Sequence, residues 1–419
     1  MPITTNSTSI PQGDSAFEKL FRRAVEERPE LRSVFELHTN AIPNLNNPIH
    51  PLFRRSNFPT ASLYEYEAME LAFRLASLWL TTDFLLEWWV HAAYDFEVPH
   101  PRRANKLVLQ QGMEYNATHI AIVEAALANL AEFVAFDFDI FGEFVSCARS
   151  QWNETSREPI PNAHPFFQAT NKKGKRVLVK LHTDFKSHAR ETFLSEPLDA
   201  QLRFSFYLAT VVTHETCHAF SMMKRNSTEE PLFYPDAPRT DWGHAWEMQV
   251  LGGEMNPFHP SQMAPTVTLL ASDWADKKNQ KRNGGLAQTV VPMNWIAKWF
   301  RRRFWIELRK GNDLRESPCC DLQVWQRADR RGYLVPNGID LYIRRDSDAT
   351  VASSASSDLE ILHRRRSTKR KVEEKEDIDS EYGSAEPEEV DDACPCRKRP
   401  RADSDEEPVS PKTVKIDDS

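Results

Sequence analysis

A predominantly helical α+β core with a small sheet, followed by a disordered carboxyl-terminal tail, is the architecture this sequence predicts. Three observations carry it. Only 13 of the 419 residues are glycine, well under the average share of about 7%, so the many tight turns of an all-β fold are not provided for. Apolar residues recur at helical spacing through Ser62 to Tyr94, Asn105 to Phe136, Leu198 to Lys224 and Pro292 to Arg309, as they do in helices with a buried face. From Asp346 to the end there is one aromatic, Tyr382, in a stretch dense in Ser, Glu, Asp, Pro and Lys. Such a composition cannot bury enough surface to offset its ordering entropy. The expected divisions are a disordered start over 1–15, a helical region over 16–150, a second folded region over 151–345 and the tail over 346–419.

Within the first region, Trp79, Trp88, Trp89, Phe133, Phe136 and Phe138 are expected in the core, since large aromatics dominate buried surface. Asp83, Glu87, Glu124 and Glu132 interrupt the apolar stretches, so no membrane span is expected. Arg176 to His182 alternates polar and apolar residues and predicts a half-buried strand. Ser195 is the expected N-cap of the next helix, with Pro197 in its first turn. From Leu198 to Met223 there is no glycine or proline, and Leu202, Phe206, Leu208, Val211, Val212 and Phe220 make the helix apolar on most sides. Its end is expected at Lys224-Arg225-Asn226, with asparagine in the left-handed cap. A further helix, capped by Thr240 or Asp241, is expected to close at Gly252-Gly253. Ile296, Phe300, Phe304 and Leu308 share one helical face, so Lys298 to Trp305 reads as core packing with a charged outer side.

The residues that carry chemistry are His214-Glu215-Thr216-Cys217-His218. An α-helix turns once in ~3.6 residues, so two imidazoles four apart leave the same face and can grip one Zn2+, with Glu215 beside them as general acid/base. Catalytic zinc takes a third protein ligand. His244 and Glu247, three apart on the next helix, are both candidates, and whichever does not ligate can orient a ligand or stabilise the transition state. His119, His164, His182, His188 and His259 lack comparable partners and are expected to be structural or exposed. Cys217 is expected to be a packed thiol off the metal face.

Taken together, Leu194-Ser195-Glu196-Pro197-Leu198, the helix ending in His214-Glu215-Thr216-Cys217-His218-Ala219-Phe220, and Gly243-His244-Ala245-Trp246-Glu247 resemble the SprT-like zinc metalloproteases. The resemblance covers about sixty residues and implies a zincin-like core that hydrolyses peptide bonds, with His214, His218 and His244 on zinc and Glu215 as general acid/base. The chain departs from that family's pattern in a longer loop between His218 and His244, and in lacking Cys-x-x-Cys pairs for an accessory zinc ribbon. The longer loop leaves open a gluzincin-like site with Glu247 as third ligand. In zincins a strand placed like Arg176 to His182 often edges the cleft, where an extended peptide can add as a further strand. Tyr234, or whichever of His244 and Glu247 is not a ligand, is the nearest oxyanion donor the sequence offers.

Charge sets the remaining expectations. The tail 346–419 carries 13 Lys and Arg against 21 Asp and Glu, which accounts for the whole formal net charge of −8. A neutral remainder argues against strong global attraction to nucleic acid, and leaves contact with DNA open. Basic clusters at 364–371 and 397–401 predict recognition by a nuclear import receptor, and Ser404 and Ser410 sit in kinase-type contexts that would tune it. No secretory signal is visible, and six cysteines form no disulfide framework, so an intracellular, nuclear protein acting on protein or peptide substrates is expected. The alternatives are a zinc scaffold that binds a partner without cleaving it, and a chromatin-associated binding protein. Intact Glu215 argues against the scaffold, because only catalysis requires that carboxylate.

Overall fold

A capping box opens the first long helix. The Ser62 hydroxyl accepts the N–H of Glu65 at 3.2 Å and the Glu65 carboxylate accepts the N–H of Ser62 at 2.7 Å, which satisfies two donors that a helix start otherwise leaves orphaned. Helix α1 (Leu63–Thr81) follows, and extended Thr82 separates it from α2 (Asp83–Tyr94). The single periodic run at 62–94 is thus two helices. This computed structural model describes residues 34, 36, 37 and 42–344, without 113, 141–146, 156, 258–267, 273–285, 313–315, 319–322, 327–329 and 336–338. For 286, 287 and 323–344 it describes the backbone only. The expected disordered segments at 1–15 and 346–419, the basic clusters and His259 lie outside the described residues.

The expected helix over Asn105 to Phe136 is corrected. Only α3 (Ala117–Leu130) is helical there, capped by the Asn116 side chain, which accepts the N–H groups of Thr118 at 3.0 Å and His119 at 3.3 Å. Before it, β1 (Phe96–Pro99) and β2 (Leu107–Gln110) form an antiparallel pair, and after it comes β3 (Val134–Asp139). Short apolar runs such as Leu107-Val108-Leu109 fit a strand as well as a helix turn, and here pairing decides. A three-stranded sheet has the order β3-β5-β4, with β5 (Arg176–His182) parallel to β3 and antiparallel to β4 (Ala148–Asn153). The predicted strand 176–182 is found, with Val177, Val179 and Leu181 on its buried face.

Short α4 (Gln168–Asn171) and α5 (Thr183–Glu191) lead to α6 (Leu198–Arg225). Ser195 does not cap α6: the N-cap is Pro197, while Ser195 closes a 3-10 turn by donating to Thr192 O at 2.7 Å. The helix ends as expected at Asn226, left-handed at φ 54 and ψ 34. Helix α7 (Trp242–Val250) comes next. A six-stranded antiparallel meander then runs through β6 (Glu254–Pro257), β7 (Leu269–Ser272), β8 (Leu286–Val290), β9 (Gln323–Gln326), β10 (Arg330–Val335) and β11 (Ile339–Arg344). With the two- and three-stranded sheets it makes up the β part of an α+β fold. Helices α8 (Met293–Lys298) and α9 (Arg302–Arg309) lie in sequence between β8 and β9. Ile296, Phe300, Phe304 and Leu308 are buried, as their spacing predicts.

Helix α6 is the central element, packed against α1, α4, α7, α8, β4 and β5. Its hydroxyls are internally satisfied: Thr210, Thr213 and Thr216 donate to the carbonyls of Phe206, Ala209 and Val212 at 3.0, 2.9 and 2.7 Å. Buried Trp79 joins the helices around it, with ring centroids 5.7 Å from Phe206, 5.3 Å from Trp246 and 5.8 Å from Trp299. Burying an aromatic side chain of this kind contributes ~1.5–3 kcal/mol. The two helices that carry the candidate site are therefore fixed from behind. Among the described residues no helix is long and apolar enough to cross a membrane.

Candidate metal centre

Helix α6 places His214 and His218 one turn apart, with their Nε2 atoms facing each other at 3.1 Å. The opposite nitrogens are pinned. His214 Nδ1 donates to Glu247 Oε1 at 2.6 Å, and His218 Nδ1 donates to Glu230 Oε1 at 2.9 Å. Each carboxylate is itself held by backbone, since Glu247 Oε2 accepts the Met255 N–H at 2.6 Å and Glu230 Oε2 accepts the Trp242 N–H at 2.9 Å. A carboxylate on Nδ1 fixes the ring and leaves Nε2 as the ligand atom, the outer-shell arrangement of metal-binding histidines.

The third vertex is Asp241, the N-cap of α7. Its Oδ1 accepts the His244 N–H at 2.8 Å, and the same oxygen lies 3.6 Å from His214 Nε2 and 3.7 Å from His218 Nε2. A point equidistant from three atoms with separations of 3.1, 3.6 and 3.7 Å lies about 2.0 Å from each, which is the length of a zinc–nitrogen or zinc–carboxylate bond, ~2.0–2.2 Å. Gly243 makes the approach of α7 possible: a Cβ there would come within 2.5 Å of Cγ, Cδ2 and Cε1 of the His214 ring. His244 joins the cluster, its ring edge-on to His214 with centroids 4.7 Å apart. Its Nε2 lies 3.4 Å from Asp241 Oδ2 and 3.6 Å from Glu254 Oε1.

Glu215 is buried between α6 and the three-stranded sheet, where the Ser150 hydroxyl donates to its Oε2 at 2.7 Å. One carboxylate oxygen of Glu215 gathers with ligand nitrogens of His214 and His218 within 4.8 Å, as do ligand atoms of His214, Asp241 and His244. The strand beside Glu215 is β4. Strand β5, expected at the cleft's edge, is the middle strand of its sheet and is paired on both sides. Tyr234, the expected oxyanion donor, gives its hydroxyl to Gln249 Oε1. Cys217 is buried, donating to Thr213 O at 3.3 Å, a packed thiol as predicted.

The electrostatics of the site favour positive charge. Burial opposes protonation of His214, but Asp241 and Glu247 outweigh it and push the group up to about 9. Burial likewise opposes charge on His218, and Glu230, with Glu215 and Asp241, pushes it up to about 10. A 3.1 Å contact between the two Nε2 atoms needs one N–H and one lone pair, so the rings share a single proton and carry one positive charge between them. Asp241 is held well below the usual carboxylate range, because His214, His244 and His218 outweigh its burial. Burial raises Glu247, and with help from Glu247 it raises Glu254 to about 7 despite Arg239. His244 is lowered by burial and by His214.

Sequence reasoning brought His214, Glu215, His218, His244 and Glu247 to one place, and the structure gathers all five. It missed Asp241 as more than a cap, and it missed Glu230, Ser150 and Glu254. Of the five histidines expected to be structural or exposed, the four described ones have local partners. The His119 ring accepts the Asn116 N–H at 3.1 Å, His164 and His182 accept the N–H groups of Phe166 and Asp184 at 3.3 and 3.2 Å, and buried His188 pairs with Glu196 at 3.1 Å. No protein-family profile, curated protein or solved structure matches the chain.

Proposed function

We propose that this protein is a zinc-dependent hydrolase of peptide bonds, with His214, His218 and Asp241 as metal ligands and Glu215 as general acid/base. The observation that carries the reading is the triangle of two Nε2 atoms and Oδ1, whose common distance of about 2.0 Å fits zinc bonds without rearrangement. When bound, zinc supplies the Lewis acidity that brings water's pKa toward neutrality and polarises a carbonyl. Glu247 and Glu230 hold the two rings with Nε2 forward. Ser150 holds one oxygen of Glu215, which leaves the other to take a proton from water and return it to a leaving amine, work typically worth ~10²–10⁴-fold. Peptide as the substrate rests on the motif's likeness to SprT-like metalloproteases, with nuclear import through the tail's basic clusters as part of the same proposal.

Metal analysis combined with one variant tests it. The full chain purified without chelator should contain stoichiometric zinc, and Glu215→Gln should retain it while cleaving a mixed peptide substrate at least ~10²-fold more slowly. Protein without zinc, or unchanged turnover in the variant, would remove the reading.

A further inference from the structure

Asp241 presents its two oxygens in two directions. Oδ1 faces the Nε2 pair of His214 and His218, while Oδ2 lies 3.4 Å from Nε2 of His244. That same His244 nitrogen lies 3.6 Å from Oε1 of Glu254. The chain builds this second corner deliberately: after α7, Gly252 at φ +78 turns it back, a left-handed conformation that glycine adopts without penalty. The turn carries Glu254, first residue of β6, up to His244, three residues into α7. Arg239 pairs with Glu254 Oε2, and Oε1 is left toward His244 with a long 3.4 Å contact from Asn256 Nδ2.

We propose that Asp241 bridges two divalent cations, the second held by Asp241 Oδ2, His244 Nε2 and Glu254 Oε1. The inference rests on the first site described above. Separations of 3.4 and 3.6 Å around His244 Nε2 are long for hydrogen bonds, but ligands at ~2.1 Å from a tetrahedral zinc stand ~3.4 Å apart. Charge points the same way. Glu215, Glu230, Asp241, Glu247 and Glu254 converge with Arg239 as the guanidinium among them. Five carboxylates around one guanidinium are a surplus of negative charge that a second dication would offset. Buried uncompensated charge is costly, so a site with this surplus binds cations until it is balanced. Two metals sharing a carboxylate sit ~3.5–4 Å apart, the spacing at which both can engage the attacking and leaving atoms of one displacement.

The test is a count. Full-length protein equilibrated with Zn2+ and freed of excess by gel filtration should carry two zinc ions per chain by elemental mass spectrometry. Glu254→Gln and His244→Ala should each carry one, with wild-type far-ultraviolet circular dichroism. Loaded with Co2+, the wild type should show magnetic coupling between two ions, and Glu254→Gln should show an isolated one. A wild type that holds one zinc would overturn the second site and keep the first. Two ions that persist in both variants, or two uncoupled Co2+ ions, would place the extra ion elsewhere and overturn it too. No zinc at all would remove both readings.

Discussion

Replacing Gly243 by alanine adds one methyl group where the structure has no room for it. The new Cβ would stand within 2.5 Å of three His214 ring atoms, whereas ordinary carbon contacts need ~3.5–4.0 Å, so the ring or the start of α7 must yield by ~1 Å. Overpacking of this size costs ~1–3 kcal/mol of stability. Its effect on the metal should be larger than its effect on the fold. Zinc ligands tolerate only ~0.2 Å of displacement, and His214 is gripped from behind by Glu247 at 2.6 Å, so moving the ring disrupts ligand and support together. Loss of an orienting partner alone typically costs ~10–100-fold in metal affinity. We therefore expect Gly243→Ala to bind zinc on the order of 10²-fold more weakly, equivalent to ~2.7 kcal/mol. Competition against a chelating dye measures this, with thermal unfolding of the zinc-free protein alongside. Gly253→Ala is the control, because its Cβ would meet Ala271 Cβ at 3.2 Å and not the His214 ring. If Gly243→Ala held zinc as tightly as wild type, the placement of α7 against His214 would be wrong.

Three further outcomes follow from the same geometry. Asp241→Asn should abolish tight zinc binding, Glu247→Gln should weaken it ~10–100-fold, and His244→Ala should leave the His214–His218 ion in place; dye competition on all three separates the rival ligand sets, and full affinity in Asp241→Asn would exclude that residue. In the metal-free protein the shared proton is bound more tightly than in the unfolded chain, since Asp241, Glu247 and Glu230 outweigh burial and raise the pair above the ordinary 6.5. The stability it confers is therefore complete below pH 6.5 and lost as pH rises through the raised value; titrating zinc into weakly buffered protein at pH 7 should release one proton per His214–His218 site, and no release would refute the shared proton. Removing 346–419 should leave metal content unchanged and move the protein out of the nucleus, which imaging of a tagged chain decides.

What the sequence made legible is what rests on spacing. The His214–His218 pair follows from helical geometry, and Asn226 announced its left-handed cap because few other residues accept that conformation. Residues read through a single role were the ones misjudged. Asp241 satisfies the pattern of an N-cap fully, so nothing in the sequence signalled that the same oxygen also faces two histidines. Glu230 lies in a loop without periodicity, and its partnership with His218 twelve residues earlier depends on how that loop folds back. Ser150 lies on a strand whose weak alternation, Ala148-Arg149-Ser150-Gln151-Trp152-Asn153, gave no strand signal. The antiparallel meander was hidden because a low overall glycine count says nothing about single turns: β10 and β11 are joined by Pro336-Asn337-Gly338, whose Asn-Gly pair is a hairpin signal that was passed over.

The histidines, Glu230, Asp241, Glu247 and Glu254 all fall between His214 and Glu254, whereas Ser150, which holds Glu215, comes from 65 residues upstream. The candidate ion-binding pocket is thus contained in one continuous stretch of chain, and the three-stranded sheet brings Ser150 to Glu215 from outside it. On the proposed reading, metal capture would draw on that stretch alone, while catalysis would also require the sheet.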